Sequence, residues 1–225
     1  MKSIAFFATA LALTAGANAA TVSYNFANPM QTTEVNQTGN LGLFDSALGT
    51  LTSVTLGFSG ANATLLQLTN NAAQAQTVSA TATTDLLFGS SLAALNTLIL
   101  AANPVVSLSA SIGPTSLASG ASVTFGPLTD SDTVVWAAQL NSILGSFSVL
   151  GGGDFAITCQ SLSGLAVQGG GGNVSSSQQT QAGCSAALEY TYAPATQQVP
   201  EPGALALVGI ALAGLALARS KNTQR

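Results

Sequence analysis

Short segments of the chain alternate between apolar and polar residues. In residues 21–26 the apolar side chains Val22, Tyr24 and Phe26 occupy every second position, and residues 53–58 repeat the pattern with Val, Leu and Phe. Because successive side chains of a strand point to opposite faces, this period of two predicts strands with one buried face.

Similar runs recur along the chain and are separated by Gly, Pro, Asn and Asp residues, which favour turns. They lie at residues 76–83, 105–112, 122–125, 133–136, 146–150, 154–159 and 184–192. The pattern predicts an all-β fold, a β-sandwich of about nine short strands. Residues 86–102 fit one helix by their Leu and Ala spacing, but we favour a strand or irregular structure there.

The N-terminal segment breaks this pattern. Lys2 precedes an apolar run at residues 4–13, and Ala17-Asn18-Ala19 follows it as a small-x-small site. This order is typical of a secretory signal peptide, so we predict residues 1–19 to be cut by signal peptidase after Ala19. The alternative is a buried N-terminal helix, which would not need the charge order or the cleavage site.

The C-terminal segment, residues 196–225, contains a second long apolar run. Residues 203–218 carry no charge and would span about 24 Å as a helix, near the lower limit for crossing a bilayer. The basic tip Arg219, Lys221 and Arg225 follows, so the positive-inside rule keeps the tip cytoplasmic and the body outside. We predict a transmembrane helix at 203–218; a buried helix of a soluble protein is the alternative.

The residues just before this run add a motif. Pro200-Glu201-Pro202, preceded by Val199 and followed by the apolar span and the basic tip, resembles the PEP-CTERM sorting signal of Gram-negative bacteria that make exopolysaccharide. The resemblance implies transient anchoring in the inner membrane, removal of the tail by an exosortase-like enzyme, and delivery to the cell surface or matrix. The tip RSKNTQR is less rich in arginine than is usual in that family.

Residues 41–64 carry a second resemblance. Phe44-Asp45, then Gly-Thr-Leu at 49–51 and Val-Thr-Leu at 54–56, are similar to the choice-of-anchor E domain of bacterial surface proteins. The similarity extends over about residues 21–193 and implies surface display without an assigned activity. From the residues themselves, Asp45 is expected to cap a turn and Gly49 to adopt positive φ, with a ligand-binding role of Asp45 as the alternative.

Charge excludes several classes of function. The only basic residues are Lys2, Arg219, Lys221 and Arg225, and the chain has no histidine. Binding to nucleic acid needs cations that neutralise phosphates, so DNA and RNA are excluded as partners. Most acid-base, nucleophilic and zinc chemistry needs His, Lys or Arg, so we predict no catalysis, cofactor or metal. The acids of the body are Glu34, Asp45, Asp85, Asp130, Asp132, Asp154 and Glu189.

Cys159 and Cys184 are the only cysteines, and an exported chain with an even number is expected to pair them. A disulfide that closes residues 159–184 into a loop is expected to stabilise the fold by about 3.5 kcal/mol, because it lowers the entropy of the unfolded chain. The residues between them are rich in Gly, Ser and Gln, so we expect a long flexible loop over 160–183, where a binding site would lie. A redox-active pair is the alternative, although the Cys-x-x-Cys spacing is missing.

Other features have a structural and a chemical interpretation. The glycine runs 151–153 and 169–172 lack phosphate-loop spacing and are expected in turns. Asp130 and Asp132 fit an exposed acidic turn, with a calcium site as the alternative. Trp136 and the strand phenylalanines are expected in the core, with an aromatic platform for sugar rings as the alternative.

Together these observations predict an exported, exosortase-sorted surface or extracellular-matrix protein with a structural or interaction role. Residues 20–195 form its all-β surface domain. Three alternatives stay open: a carbohydrate-binding module that acts on exopolysaccharide, a permanently tail-anchored membrane protein, and an enzyme that pairs two acids as glycosidases do.

Overall fold

The computed structural model describes residues 19–195 and Gly209. Four predicted segments lie outside the described residues: the signal peptide up to residue 18, the sorting motif, the transmembrane helix except for Gly209, and the basic tip. Within the described part of the chain, no helix is both long and apolar enough to cross a membrane.

Residues 19–195 form ten strands and one α-helix, with three 3-10 segments between them. In chain order these are β1 (Ala20–Ala27), β2 (Gln31–Thr32), β3 (Asn36–Asp45), β4 (Gly49–Asn70), β5 (Gln76–Ser90), α1 (Ala93–Ala102), β6 (Val105–Leu117), β7 (Ser122–Trp136), β8 (Ser148–Val149), β9 (Gly153–Gly169) and β10 (Val174–Pro194).

The strands build two sheets that face each other. The front sheet has the order β1-β10-β4-β7, with β2 also paired to β10, and the back sheet has the order β6-β5-β9-β3-β8. Every pair is antiparallel except β3 with β8. The predicted all-β sandwich is therefore confirmed.

Alternating burial explains why these segments are strands. Along β4, the side chains of Val54, Leu56 and Phe58 are fully buried, while the intervening positions face outward. The strands are longer than the sequence predicted, because β4 continues through Gly60 and Asn62, two residues that usually end a strand. Gly60 is needed inside the strand, since a Cβ at this position would clash with Leu86 of β5.

The preference for strand or irregular structure over residues 86–102 is only partly right. Strand β5 continues to Ser90, and α1 then runs from Ala93 to Ala102. Leu95 and Ile99, spaced four residues apart, are buried on one side of α1, as an amphipathic helix requires. Residues 146–150 also differ from the prediction, because a 3-10 segment (Ala138–Phe147) leaves only two residues for β8.

The interior contains two apolar clusters. The larger one lies around Phe44, Phe58, Trp136 and Tyr190, and the smaller one around Leu66, Leu68, Val78, Ala80, Ala82, Ala110 and Leu117. Between them on β4 lie the buried polar residues Asn62 and Thr64, and Thr64 hydrogen-bonds to Thr180 of β10 at 3.0 Å. We call Asn62, Thr64, Thr84 and Thr180 the polar band.

Candidate functional site

The two cysteines form the predicted disulfide. Cys159 of β9 and Cys184 of β10 are both buried, with their Cα atoms 6.4 Å apart. Because β9 belongs to the back sheet and β10 to the front sheet, the bond joins the two sheets through the larger apolar cluster. This position indicates a structural disulfide.

The predicted flexible loop between the cysteines is wrong. Strand β9 continues to Gly169, and β10 begins at Val174. A turn of four glycines, all with positive φ, joins them, which explains the glycine run. The Ser and Gln residues between the cysteines are strand positions instead of loop residues; some face outward and others, such as Ser161, are buried.

The predicted cleavage and sorting residues stand at or beyond the limits of the described chain. Most of them lie outside the described residues, namely Ala17, Pro200, Glu201, Pro202, Arg219, Lys221 and Arg225. Ala19 is described and directly precedes β1, which begins at Ala20. Cleavage after Ala19 would therefore leave the first residue of β1 as the new N-terminus.

Several acids of the body accept hydrogen bonds from nearby backbone or hydroxyl groups. Asp45 caps its turn as predicted, since it accepts from the Ala47 N–H at 2.9 Å, and Gly49 has a φ of 148°. Asp130 of β7 accepts from the N–H of Ser109 on β6 of the back sheet at 2.8 Å, and Glu34 accepts from the N–H of Ser163 at 2.9 Å. In the part of the chain that the structure describes, no three acids or cysteines cluster as metal ligands.

The aromatic rings belong to the interior, as predicted. Trp136 is 5% exposed and meets Phe58 edge-on at 5.6 Å between ring centres. Tyr24 and Phe26 are half-buried and lie against Gly42 and Gly39 of the opposite sheet. Between residues 19 and 195 no aromatic side chain is exposed, so the exposed rings that an aromatic platform for sugars would need are not found in this region.

Two surface depressions lie on the outer face of the front sheet. One measures about 600 Å³ and the next about 340 Å³, and they share Ser59 and Thr133. We call the two together the front trough. Its floor is formed by outward positions on β4 (Thr55, Gly57, Ser59, Ala61) and on β10 (Gly183, Ser185, Ala187, Glu189). One wall is formed by β1 and the segment after it (Ser23, Asn25, Asn28, Met30), and the other wall by β7 (Ser131, Thr133, Val135).

Strand register explains why these residues share one surface. Ser59 pairs with Ser185 of β10 on one side and with Thr133 of β7 on the other, and the Ser59 and Thr133 hydroxyls hydrogen-bond at 2.8 Å. Directly paired residues of neighbouring strands point to the same face. Smaller depressions of about 170 Å³ and 200 Å³ continue the same face along β4 to Gln67.

Sequence reasoning missed the front trough. Its residues are the polar halves of alternating strands, and the same pattern describes any solvent-exposed sheet face. The sequence does carry one signal, because Gly57, Ala61, Gly183 and Ala187 are small residues at outward positions of two strands that pair in the middle of the sheet. The register that brings them together was not visible in the sequence.

Comparison with solved structures finds distant likeness to virus structures. Structures of the Gx and Gt strains of infectious bursal disease virus match 87% and 91% of this chain at 11% and 12% identity, with TM-scores of 0.18 and 0.17. This chain spans about half the length of those two, covering 49% and 51% of them. A structure of Desmodium yellow mottle tymovirus matches 88% of this chain and 95% of its own at 11% identity, with a TM-score of 0.21. Likeness at this level supports no argument about this chain.

Comparison by sequence is more informative at the C-terminus. No curated protein matches the chain at a significant level. The model of the PEP-CTERM protein-sorting motif matches residues 198–221, a range that contains Pro200, Glu201 and Pro202 and the predicted membrane span. The chain carries a PEP-CTERM sorting motif, which supports its being an exported exosortase substrate that is sorted to the cell surface.

Proposed function

We propose that this protein is displayed on the cell surface or in the extracellular matrix of a Gram-negative bacterium, where it has a structural or interaction role. The PEP-CTERM motif at residues 198–221 is the observation that carries this proposal. In this account signal peptidase cuts after Ala19, the C-terminal helix holds the chain in the inner membrane for a time, and an exosortase-like enzyme removes the tail.

The body is proposed to be a surface domain of the choice-of-anchor E type. Support comes from the turn at Asp45 and Gly49, two positions within the resemblance, whose hydrogen bond and positive φ match the roles expected from the residues themselves. The buried disulfide adds to this, because disulfides persist outside the reducing cytosol.

A role without catalysis is part of the proposal. No Lys, Arg or His occurs between Ser3 and Ala218, so no side chain of the body can supply a positive charge to a developing oxyanion. Three of the acids, Glu34, Asp45 and Asp130, are occupied by hydrogen bonds to backbone N–H groups. These observations favour a partner that is bound over a substrate that is converted.

The proposal is tested by following the full-length protein in its own host. Replacing Pro200, Glu201 and Pro202 together by Ala is expected to shift the protein from the surface fraction to the cell envelope, while the body folds as before. The matched control changes Thr196 and Gln197 to Ala, directly upstream of the matched segment. Surface delivery of the triple variant at the normal level would contradict sorting through this motif, and a permanent tail anchor predicts that both variants stay in the membrane.

A further inference from the structure

We propose that the front trough binds an extended, uncharged, hydroxyl-rich polymer, that is, a neutral polysaccharide chain. The inference deepens the proposed function, because it names the partner that a displayed body would meet outside the cell. It places the site on the outer face of the front sheet, with part of one wall formed by the segment that follows β1.

The shape of the trough suits a long, thin ligand. Gly57 and Ala187 are directly paired in the register of β4 and β10, so this part of the floor carries almost no side chain. A sugar ring can therefore approach the backbone closely there, whereas Gly183 is covered by the backbone of Asn28 and Met30. With the smaller depressions, the face runs from Thr55 to Gln67 along β4, which is about 40 Å at strand geometry.

The lining offers hydrogen-bonding groups that the protein leaves free. Among the described residues, the side chains of Asn25, Thr55 and Ser185 have no hydrogen-bond partner within the protein, although all three line the trough. Each hydroxyl supplies one donor and two acceptor sites, and the amide supplies both kinds of group. A polymer with hydroxyl groups on every unit is complementary to this lining.

Charge selects a neutral polymer over an anionic one. Glu189 is part of the lining, and no cation occurs between Ser3 and Ala218 to offset its charge. An anionic polysaccharide would bring like charges together in the trough without any ion pair in return.

The lining also argues against a protein partner. Protein interfaces depend on buried aromatic, Arg or large apolar anchors. No aromatic side chain in residues 19–195 is exposed, and the trough offers only Met30 and Val135, at 41% and 59% exposure, as large exposed apolar residues. Affinity must then come from many hydrogen bonds along an extended chain.

The test uses the full chain as released by its host and the host's own extracellular polysaccharide, separated by anion exchange into a neutral and an acidic pool. In affinity electrophoresis, we expect the neutral pool to retard the protein and the acidic pool to leave its mobility unchanged. Unchanged mobility in the neutral pool, or stronger retardation in the acidic pool, would overturn the proposal.

Variants then locate the site. Ala187→Trp fills the floor of the trough and is expected to weaken retardation by about tenfold. Its matched control is Ala166→Trp, because Ala166 is an exposed strand residue on β9 of the other sheet, and this variant should bind as the parent does. An equal loss of retardation in Ala187→Trp and Ala166→Trp, or a loss of retardation in Ala166→Trp alone, would contradict a site in the trough.

A second variant covers the case in which Ala187→Trp does not fold. Replacing Asn25 and Ser185 by Ala removes free hydrogen-bonding groups without adding bulk, so it should fold and still lose most of the retardation; parental retardation would count against the trough. Binding is measured on purified protein, so a failure of sorting in the host leaves this result intact. A failure of binding likewise leaves the sorting proposal standing.

Discussion

At the scale of single residues, Tyr190 connects the two sheets. Its hydroxyl donates a hydrogen bond to the Gly42 carbonyl of β3 at 2.9 Å, and its ring meets Tyr24, Phe44 and Phe147 edge-on. Burial raises the pKa of Tyr190 above its usual value, and the neighbouring Tyr24 adds to the shift. The sequence predicted a strand here, but the contact with Gly42 is set by how the two sheets pack against each other.

The hydroxyl of Tyr190 is expected to contribute measurably to stability. Tyr190→Phe leaves the buried Gly42 carbonyl without this partner, so the free energy of unfolding should fall by about 1–3 kcal/mol. Urea unfolding of the parent and the variant measures the difference. An unchanged midpoint would show that this hydrogen bond contributes nothing net.

The raised pKa also predicts a dependence on pH. The unfolded tyrosine loses its proton near pH 10, whereas the folded one keeps it to higher pH. Its contribution is therefore complete below about pH 10 and is lost as the pH rises further, with a slope of about 1.4 kcal/mol per pH unit. Unfolding measured between pH 8 and pH 12 should show this loss in the parent, and Tyr190→Phe should show a smaller slope.

Gly39 tests how closely the two sheets approach each other. A Cβ at Gly39 would collide with the ring of Phe26, so Gly39→Ala should destabilise the fold by about 1–3 kcal/mol. The matched control is Gly113→Ala in β6, where a Cβ would meet nothing within 4 Å. Thermal unfolding of both variants checks the prediction, and an equal effect on both would contradict the close approach.

At the scale of elements, the strands contain polar residues that sequence reasoning assigned to loops. The Ser- and Gln-rich residues between the cysteines were predicted as a flexible loop, but they pair along β4 and β5 as parts of β10 and β9. Their inward positions include Thr180 and Ser161, both buried. Tertiary pairing overrides the weak strand preference of such residues, so composition alone could not find these strands.

The polar band allows a test by isosteric replacement. The Thr84 hydroxyl is buried and, among residues 19–195, has no hydrogen-bond partner, whereas the Thr64 hydroxyl bonds to Thr180. Thr84→Val should therefore raise the free energy of unfolding by about 1 kcal/mol, and Thr64→Val should lower it by a similar amount. Chemical denaturation of the two variants measures both, and destabilisation by Thr84→Val would show that its hydroxyl is satisfied.

At the scale of the whole molecule, the disulfide ties the two sheets together across a sequence separation of 25. Replacing Cys159 and Cys184 by Ala should lower the free energy of unfolding by about 3.5 kcal/mol. Urea unfolding of the double variant beside the oxidised parent measures this loss. The reduced parent should approach the variant, and equal stability of all three forms would contradict the prediction.

The sequence predicts the class of fold, the disulfide and the sorting signal well, each for a local reason. Alternation indicates strands, an even cysteine count in an exported chain indicates a bond, and Pro200-Glu201-Pro202 lies in a contiguous tripartite tail. Strand order and the front trough depend on which strands become neighbours, such as Gly183 beside Ala61. No local pattern encodes that pairing.

Intact-mass spectrometry of the protein recovered from the surface fraction tests the central claim most directly. The account predicts a mature chain that begins at Ala20 and ends near residues 200–202, without the apolar span and the basic tip. A surface protein whose mass includes every residue to Arg225 would contradict processing at the PEP-CTERM motif.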